Sequence, residues 1–361
     1  MSARSTGWIR GPLWDVALLA LPWVPLYLWF VFGLRIGDGG GEVHVLGERF
    51  DALALATLVV LAITFVHRHY TFVLVYGDAQ AFGEHARAYV VAPVLLFAAL
   101  AAARHAGDAA WGIALAASGT WNVWHTVQQR YGILRVYAAK AGGGLEGRAH
   151  ARRDQRLVWS LVSGVALALV FFRRASFLGH ESARRALFAV LPFVESPWFA
   201  ALGALLGLGA ALAAASWLRA ELKASVALAA RVPRLTFLAS TVALLAVFVV
   251  HGPVVGYLTF GSAHALEYVA FVHHFGQRKF ARREGARSLA SALLRRPLLV
   301  GPLLSGGLAL LYFALQPAAD GDLYLTYYLG SSMLHFLYDG WIWKVHKPAV
   351  AEPLGARAAA S

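Results

Sequence analysis

Histidine clusters occur in four apolar segments of the chain, and two of these segments also contain a carboxylate. They are HRHY at residues 67–70, WHTVQQ at 124–129, HALEYVAFVHH at 264–274 and HFLYDGW at 335–341. Imidazole and carboxylate groups bind transition metals and exchange protons, and they are expensive to place inside a bilayer. Four such clusters therefore indicate a built site for a metal or a cofactor. The alternative is packing, because histidines near a membrane interface commonly bond to headgroups or to a neighbouring helix.

Helical spacing decides which of these side chains can share a centre. Glu267 and His274 lie within about 20° of one another around a helix, so both can face one stripe. His264 and Glu267 are about 10–15 Å deeper along the helix than His274, so one metal cannot bind all three. Asp339 follows His335 by one turn, which predicts either a second ligand or a carboxylate that orients the imidazole.

The remaining clusters are less regular. His67 and His69 are about 200° apart on a helix, so we expect one of them to be an outer or structural residue. His125 forms a polar stripe with Gln128 and Gln129. The favoured metal ligands are His125, His264, His274 and His335. The other candidates are three histidines that complete the coordination sphere and two carboxylates with bridging, terminal or outer roles: His67, His69, His273, Glu267 and Asp339.

The composition requires a membrane protein. Of the 361 residues, 59% are hydrophobic and only 14% are charged, and the mean hydropathy is +0.59. A chain this apolar has room for many spans of about 20 residues. We predict an all-α, polytopic transmembrane helix bundle forming a single integral membrane domain over residues 1–361. Its ten spans are expected at residues 13–33, 52–76, 88–104, 109–132, 157–172, 198–218, 235–250, 254–275, 297–315 and 323–343.

Charge asymmetry sets the expected orientation. With the N-terminus and C-terminus in the cytoplasm, 25 of the 32 Lys and Arg lie inside and seven lie outside: Arg35, Arg49, Arg104, Arg173, Arg174, Arg184 and Arg185. This arrangement obeys the positive-inside rule. It also directs the C-terminal ends of all four histidine-bearing spans to the cytoplasm, although no histidine was used to choose it. A bacterial cytoplasmic (inner) membrane is the expected location.

The loops and the missing cysteines narrow the function classes. Basic residues concentrate in two predicted cytoplasmic loops, 138–156 and 276–296, so topology explains the positive charge better than nucleic-acid binding does. Residues 281–297 have the pattern of an amphipathic helix on the inner leaflet, with a solvated loop as the alternative. The chain contains no cysteine, which excludes thiolate-bound zinc, iron–sulfur clusters and thiol nucleophiles.

The four clusters resemble the histidine motifs of integral-membrane non-haem di-iron oxygenases, a group that includes fatty-acid desaturases, hydroxylases and carotenoid-modifying enzymes. AFVHH at 270–274 has the paired histidines of an HxxHH box, with Ala270 in place of the leading one, and no HxxxH box is present. The resemblance implies non-haem iron, one or two ions, oxidising an apolar lipid-like or isoprenoid substrate from the surrounding bilayer. It also implies an electron donor, which the basic cytoplasmic loops would attract.

Other functions fit the same residues. Histidine and carboxylate ligands without thiolates also suit zinc, manganese or copper, and a zinc site could use Glu267 or Asp339 to activate water. Two histidines from different helices could bind haem, or the site could hold a quinone. A transporter could use Glu267, His264 and Asp339 as a proton or cation pathway. A lipid-binding or assembly protein without turnover also stays open.

Overall fold

The computed structural model describes residues 7–36, 41–45, 47–171, 196–281, 288–315, 322–345 and 347–356. The predicted outer arginines 173, 174, 184 and 185 and the middle of the predicted loop 276–296 lie outside these residues. Within them helices and their connections make up the chain apart from one short hairpin, which confirms the all-α class. The hairpin pairs β1 (Glu42–Val45) with β2 (Glu48–Asp51) in antiparallel fashion.

The helices follow the predicted segments closely in sequence. The first segment consists of α1 (Pro12–Asp15), a π-helical turn (Val16–Ala20), α2 (Val24–Leu28) and a second π-helical turn (Trp29–Gly33). The remaining helices are α3 (Ala52–Tyr76), α4 (Ala79–Glu84), α5 (Ala86–His105), α6 (Asp108–Ala141), α7 (Arg148–Phe171), α8 (Pro197–Leu222), α9 (Leu228–Ala281), α10 (Leu289–Leu294), α11 (Pro297–Leu315), α12 (Asp322–Ile342) and α13 (Pro348–Leu354).

Fewer of these helices than expected have the length and apolarity of a membrane span. Four described helices, at Ala52–Tyr76, Ala86–His105, Ala201–Leu222 and Leu228–Ala281, meet both requirements, and the bent first segment makes a fifth if it crosses as one span. These helices are those of an integral membrane protein, but they do not support ten spans. The helices α6 and α12 carry many of the polar residues of the histidine clusters, which lowers their hydropathy.

Two breaks interrupt the long apolar segments. The first segment bends by 46° between Pro12–Ala20 and Val24–Gly33. Pro22 and Pro25 lie at this bend, and proline cannot donate a backbone hydrogen bond to the preceding turn. In α9 the helix breaks at Gly252, where φ is 81° and ψ is 176°. This break lies at the turn that separates the predicted spans 235–250 and 254–275.

The two predicted basic loops are largely helical where they are described. The helices α6 and α7 extend into the segment 138–156 and leave only residues 142–147 between them. Arg135 donates hydrogen bonds to the carbonyl oxygens of Leu145 and Glu146 and so fixes this turn. In the segment 276–296, α10 forms a short helix whose Ala290 amide donates to the Gly77 carbonyl oxygen at 3.0 Å.

The chain divides into two compact units. Unit 1 contains residues 1–60 and 130–263, and unit 2 contains residues 61–129 and 264–360. In unit 1, apolar side chains pack around Phe30 and Leu244, and Asp154 accepts hydrogen bonds from Arg135, Trp217 and Arg234. In unit 2, Tyr89 of α5 and Tyr338 of α12 form an aromatic core with Val75 of α3 and Leu334 of α12. All four histidine clusters lie in unit 2.

Candidate metal centre

Four histidines from four helices of unit 2 form one buried cluster. His67 lies on α3, His125 on α6, His264 on α9 and His335 on α12, and each is at most 5% exposed. Their rings pack edge to face at centroid distances of 4.6 Å for His67 and His335, 4.7 Å for His125 and His335, 4.9 Å for His67 and His264 and 5.0 Å for His125 and His264. We call these residues the four-histidine cluster.

Three members of this cluster could hold a metal ion. His67, His264 and His335 each offer one ring nitrogen, and these three atoms lie within 4.8 Å of one another. The Nε2 atoms of His67 and His335 are 3.2 Å apart. Two imidazoles that bind one metal at about 2.0–2.1 Å, with an angle of about 90–110° between the bonds, have their nitrogens about 2.9–3.4 Å apart. The observed distance is that of a hydrogen bond between the two rings, and it also fits two ligands of a single ion.

Hydrogen bonds on the far side of His335 determine which nitrogen faces the cluster. The Thr71 hydroxyl lies 2.5 Å from the Tyr268 hydroxyl and 3.0 Å from Asp339 Oδ1, and it donates its single proton to one of these oxygens. Its own oxygen therefore accepts from the Nδ1–H of His335 at 2.7 Å. The Tyr268 hydroxyl donates to the same carboxylate oxygen at 2.7 Å. In this tautomer Nε2 carries the lone pair and points to His67. Outer partners that fix the tautomer of a ligand histidine in this way are usual in metal sites.

A second set of possible ligands overlaps with the first. His125, His335 and Asp339 also bring one ligand atom each within 4.8 Å. Its third member, Asp339, already accepts from Tyr268 and lies within hydrogen-bond distance of Thr71, and the Nδ1 of His335 is engaged with Thr71. His125 Nε2 is 3.8 Å from Asp339 Oδ2, too far for a hydrogen bond, and it is buried with no hydrogen-bond partner among the described residues. The three-histidine set is thus the better-formed site, with His125 at its edge.

Four of the predicted site residues lie outside both sets. His69 Nδ1 donates to the Phe65 carbonyl oxygen and its Nε2 accepts from the Tyr327 hydroxyl, both at 2.7 Å, so neither nitrogen is left for a metal. His273 Nε2 is 2.9 Å from the Tyr70 hydroxyl. His274 and Glu267 are buried but belong to neither ligand set. Asp339 holds the position that sequence spacing allowed as an orienting carboxylate, although Thr71 stands between it and His335.

Sequence reasoning did not identify Thr71 and Tyr268. A signal was nevertheless present, because each of the three metal-competent histidines is followed four residues later by a member of this hydrogen-bonded group: His67 by Thr71, His264 by Tyr268 and His335 by Asp339. Residues four apart lie on the same helix face one turn away. The repeated spacing therefore places a layer of hydroxyl and carboxylate groups directly against a layer of imidazoles.

Gln129 repeats this four-residue spacing at the fourth histidine, His125. It follows His125 by four residues, and its amide Nε2 donates to the backbone carbonyl oxygen of His264 at 3.0 Å. This bond connects α6 to α9 at the turn that carries His264.

Known proteins offer no further guide to the site: the chain matches no protein-family model, no curated protein and no solved structure.

Proposed function

We propose that unit 2 holds a non-haem iron centre and that the protein is a membrane-embedded oxidoreductase acting on a lipid or isoprenoid substrate. The observation that carries this proposal is the convergence of His67, His264 and His335, three buried imidazoles whose ligand atoms lie within 4.8 Å of one another. Three protein ligands with further positions open is the arrangement of catalytic rather than structural metal sites.

The choice of iron rests on the resemblance of the clusters to membrane oxygenases, because three imidazoles suit zinc as well as iron. Imidazole suits iron, zinc and copper, and the absence of thiolates from the chain disfavours purely structural zinc. Bound iron would supply one-electron chemistry with oxygen, which can functionalise an otherwise unreactive apolar chain. A single ion is favoured over two because both ligand sets need His335.

The surrounding residues have defined tasks in this proposal. Thr71 and Asp339 hold the His335 ring in one tautomer, with its lone pair toward the ion. Tyr268 is completely buried beside them, and its hydroxyl donates to Asp339, so these two residues can hold or move a proton next to the ligand sphere. The low exposure of all four histidines keeps bulk water out, which protects reactive species from side reactions.

The packing of the rings argues against haem. Two axial ligands lie on opposite faces of the macrocycle, about 4 Å apart for metal–nitrogen bonds near 2.0 Å, with the porphyrin between them. His67 and His335 approach to 3.2 Å through their Nε2 atoms, and the rings of His125 and His264 pack against them. This compact cluster suits an ion better than a flat cofactor.

The proposal includes the predicted topology and location. Ten spans with both termini in the cytoplasm would place the four-histidine cluster nearer the cytoplasmic side of a bacterial inner membrane. The basic segments 138–156 and 276–296 would then face an acidic electron donor, and opposite charge would speed its encounter.

Turnover of iron-loaded protein tests this function. The full chain would be reconstituted into vesicles of bacterial lipid extract, supplied with ferredoxin, ferredoxin reductase and NADPH, and followed with an oxygen electrode and lipid mass spectrometry. We expect oxygen uptake together with a lipid that has gained one oxygen atom or lost two hydrogen atoms. The His335→Ala variant should be inactive, and the variant of an exposed histidine, His105→Ala, should be active. Iron-loaded protein that consumes no oxygen and alters no lipid would refute the proposal.

A further inference from the structure

Arg68 is a buried cation immediately beside the four-histidine cluster. It follows His67 on α3 and is only 2% exposed. Its Nε donates to the Thr64 carbonyl oxygen at 3.1 Å, and its Nη1 donates to the Tyr328 carbonyl oxygen at 2.8 Å and to the Ser331 hydroxyl at 3.2 Å. The guanidinium also lies 3.8 Å from the ring centroid of Tyr328.

All of these partners are neutral. Among the described residues no carboxylate pairs with Arg68, and its Nη2 makes no hydrogen bond there. In contrast, the partly buried Arg135 and the buried Arg234 of unit 1 both pair with the carboxylate of Asp154. A guanidinium stays ionised in proteins, and a buried charge without a counter-charge is strongly unfavourable. Carbonyl groups and the Tyr328 ring offset only part of this cost. We therefore expect Arg68 to bind an anion.

The position of Arg68 determines where such an anion would lie relative to the four-histidine cluster. Ser331, which binds Nη1, lies one helical turn before His335 on α12, while Asp339 lies one turn after it. The guanidinium is therefore held on the face of the cluster opposite to the Thr71, Tyr268 and Asp339 group. An anion bound there would lie roughly one helical pitch, about 5 Å, from the imidazole layer.

We propose that Arg68 binds the carboxylate of an apolar, acyl-type substrate and so fixes the substrate chain beside the metal centre. This inference rests on the proposed function and names its substrate class. Nε and Nη1 are already occupied, so only the two N–H groups of Nη2 are available to the ligand. One nitrogen of a single guanidinium suits a small, singly charged carboxylate. A phospholipid phosphate would also bring further polar oxygens and a headgroup into this buried position, and burial of polar groups without partners is unfavourable.

Competition binding with defined lipids tests the inference. Detergent-purified full-length protein would be incubated with tritiated palmitate, and unlabelled palmitate, hexadecanol and dipalmitoyl phosphatidic acid would compete for the site. We expect palmitate to compete far better than the uncharged alcohol or the phosphatidic acid. Arg68→Gln should weaken palmitate binding roughly 30-fold or more, as removal of one partner of a buried charge pair does. Arg68→Lys keeps the charge and should bind with intermediate affinity.

A matched control separates charge recognition from local packing. Ser331→Ala removes a neutral partner of Nη1 but leaves Nη2 unchanged, so its palmitate binding should stay close to that of the unaltered protein. Equal competition by palmitate and hexadecanol, or by palmitate and phosphatidic acid, would overturn the inference even if the Arg68 variants did not fold. Retained discrimination in Arg68→Gln would also overturn it. Iron content measured on the same samples keeps the two proposals apart, because palmitate selectivity in protein that binds no iron would refute only the metal centre.

Discussion

Thr71 is the residue on which the orientation of His335 depends. Its hydroxyl bridges the imidazole Nδ1 and the Asp339 carboxylate, and the Tyr268 hydroxyl donates to the same carboxylate. All of these groups are buried, so none of these hydrogen bonds can be replaced readily by bulk water. The lone pair of His335 Nε2 is directed at His67 because of this arrangement.

Replacement of Thr71 should weaken metal binding without abolishing it. Thr71→Val keeps the shape but removes the hydroxyl, and loss of an outer partner typically lowers metal affinity about 10–100-fold. Thr71→Ser restores the hydroxyl and should restore affinity. Iron dissociation constants, measured by competition with a chromogenic chelator, check both variants. Equal affinity in Thr71→Val and the unaltered protein would show that this hydroxyl does not orient a ligand.

Spacing along one helix predicted part of the site. It indicated that His67 and His69 could not both face one centre, and that His264 and His274 were too far apart for one ion. It could not choose His67 over His69, because that choice depends on the Tyr327 hydroxyl, which comes from another helix. Arg68 was missed for the same reason, since its neutral partners Tyr328 and Ser331 lie on α12.

At the scale of helices, the break at Gly252 divides α9 into two segments. Its φ of 81° and ψ of 176° lie in a region that is essentially restricted to glycine. Gly252→Ala should therefore lower the free energy of unfolding by about 1–3 kcal/mol. Gly207→Ala, in the middle of α8 with open space around the added methyl group, is the matched control and should be neutral or slightly stabilising. Unfolding in mixed micelles with SDS measures both, and equal stability of the two variants would contradict a strained break.

A buried ionic group connects four helices of unit 1. Asp154 of α7 accepts from Arg135 of α6 at 2.6 Å and from Trp217 of α8 at 2.8 Å, and it also pairs with Arg234 of α9. Arg234 pairs in addition with Glu221 of α8. The Asp154 carboxylate is completely buried, and it is the carboxylate that compensates the charge of Arg135, whereas Arg234 also has Glu221.

Removal of this charge should destabilise unit 1 severely. Asp154→Asn is expected to cost about 3–5 kcal/mol, because breaking a buried ion pair leaves an uncompensated charge. The exposed pair of Arg49 and Glu42, 3.6 Å apart with side chains 69% and 68% exposed, is the control. Arg49→Ala should cost less than about 1 kcal/mol. A similar loss of stability in both variants, measured by the same SDS titration, would contradict the role given to Asp154.

The hydrophobic segments of the sequence predicted the positions of the helices well. They predicted less well which of these helices have the length and apolarity of a membrane span. The predicted segment 52–76 coincides with α3, and the HGP turn at 251–253 coincides with the break in α9. The bend and π-helical turns in the first segment were not anticipated, because their geometry also depends on contacts such as the hydrogen bond from Trp23 Nε1 to Ser240 Oγ. The sequence predicts spans in the segments of α6 and α12, although the polar residues of their histidine clusters lower the hydropathy of both helices.

For the whole molecule, the orientation in the membrane is the prediction that connects the site to a cytoplasmic partner. The chain contains no cysteine, so single introduced cysteines can be labelled without background. Gln80→Cys, exposed in the predicted cytoplasmic segment 77–87, should react with a membrane-impermeant maleimide only after intact spheroplasts are permeabilised. Glu42→Cys, exposed in the predicted outer segment between the first two spans, should react at once. The reverse pattern would place the basic segments outside and remove the proposed electron-donor surface.

The metal content of the purified full-length protein tests the central claim most directly. After expression in iron-supplemented medium, mass spectrometry of the elements should find about one iron per chain, given that both ligand sets need His335. The variants His67→Ala, His264→Ala and His335→Ala should each lose the iron, whereas His69→Ala and His105→Ala should keep it. Protein that carries no stoichiometric metal, or iron content that is unchanged in the first three variants, would contradict the account.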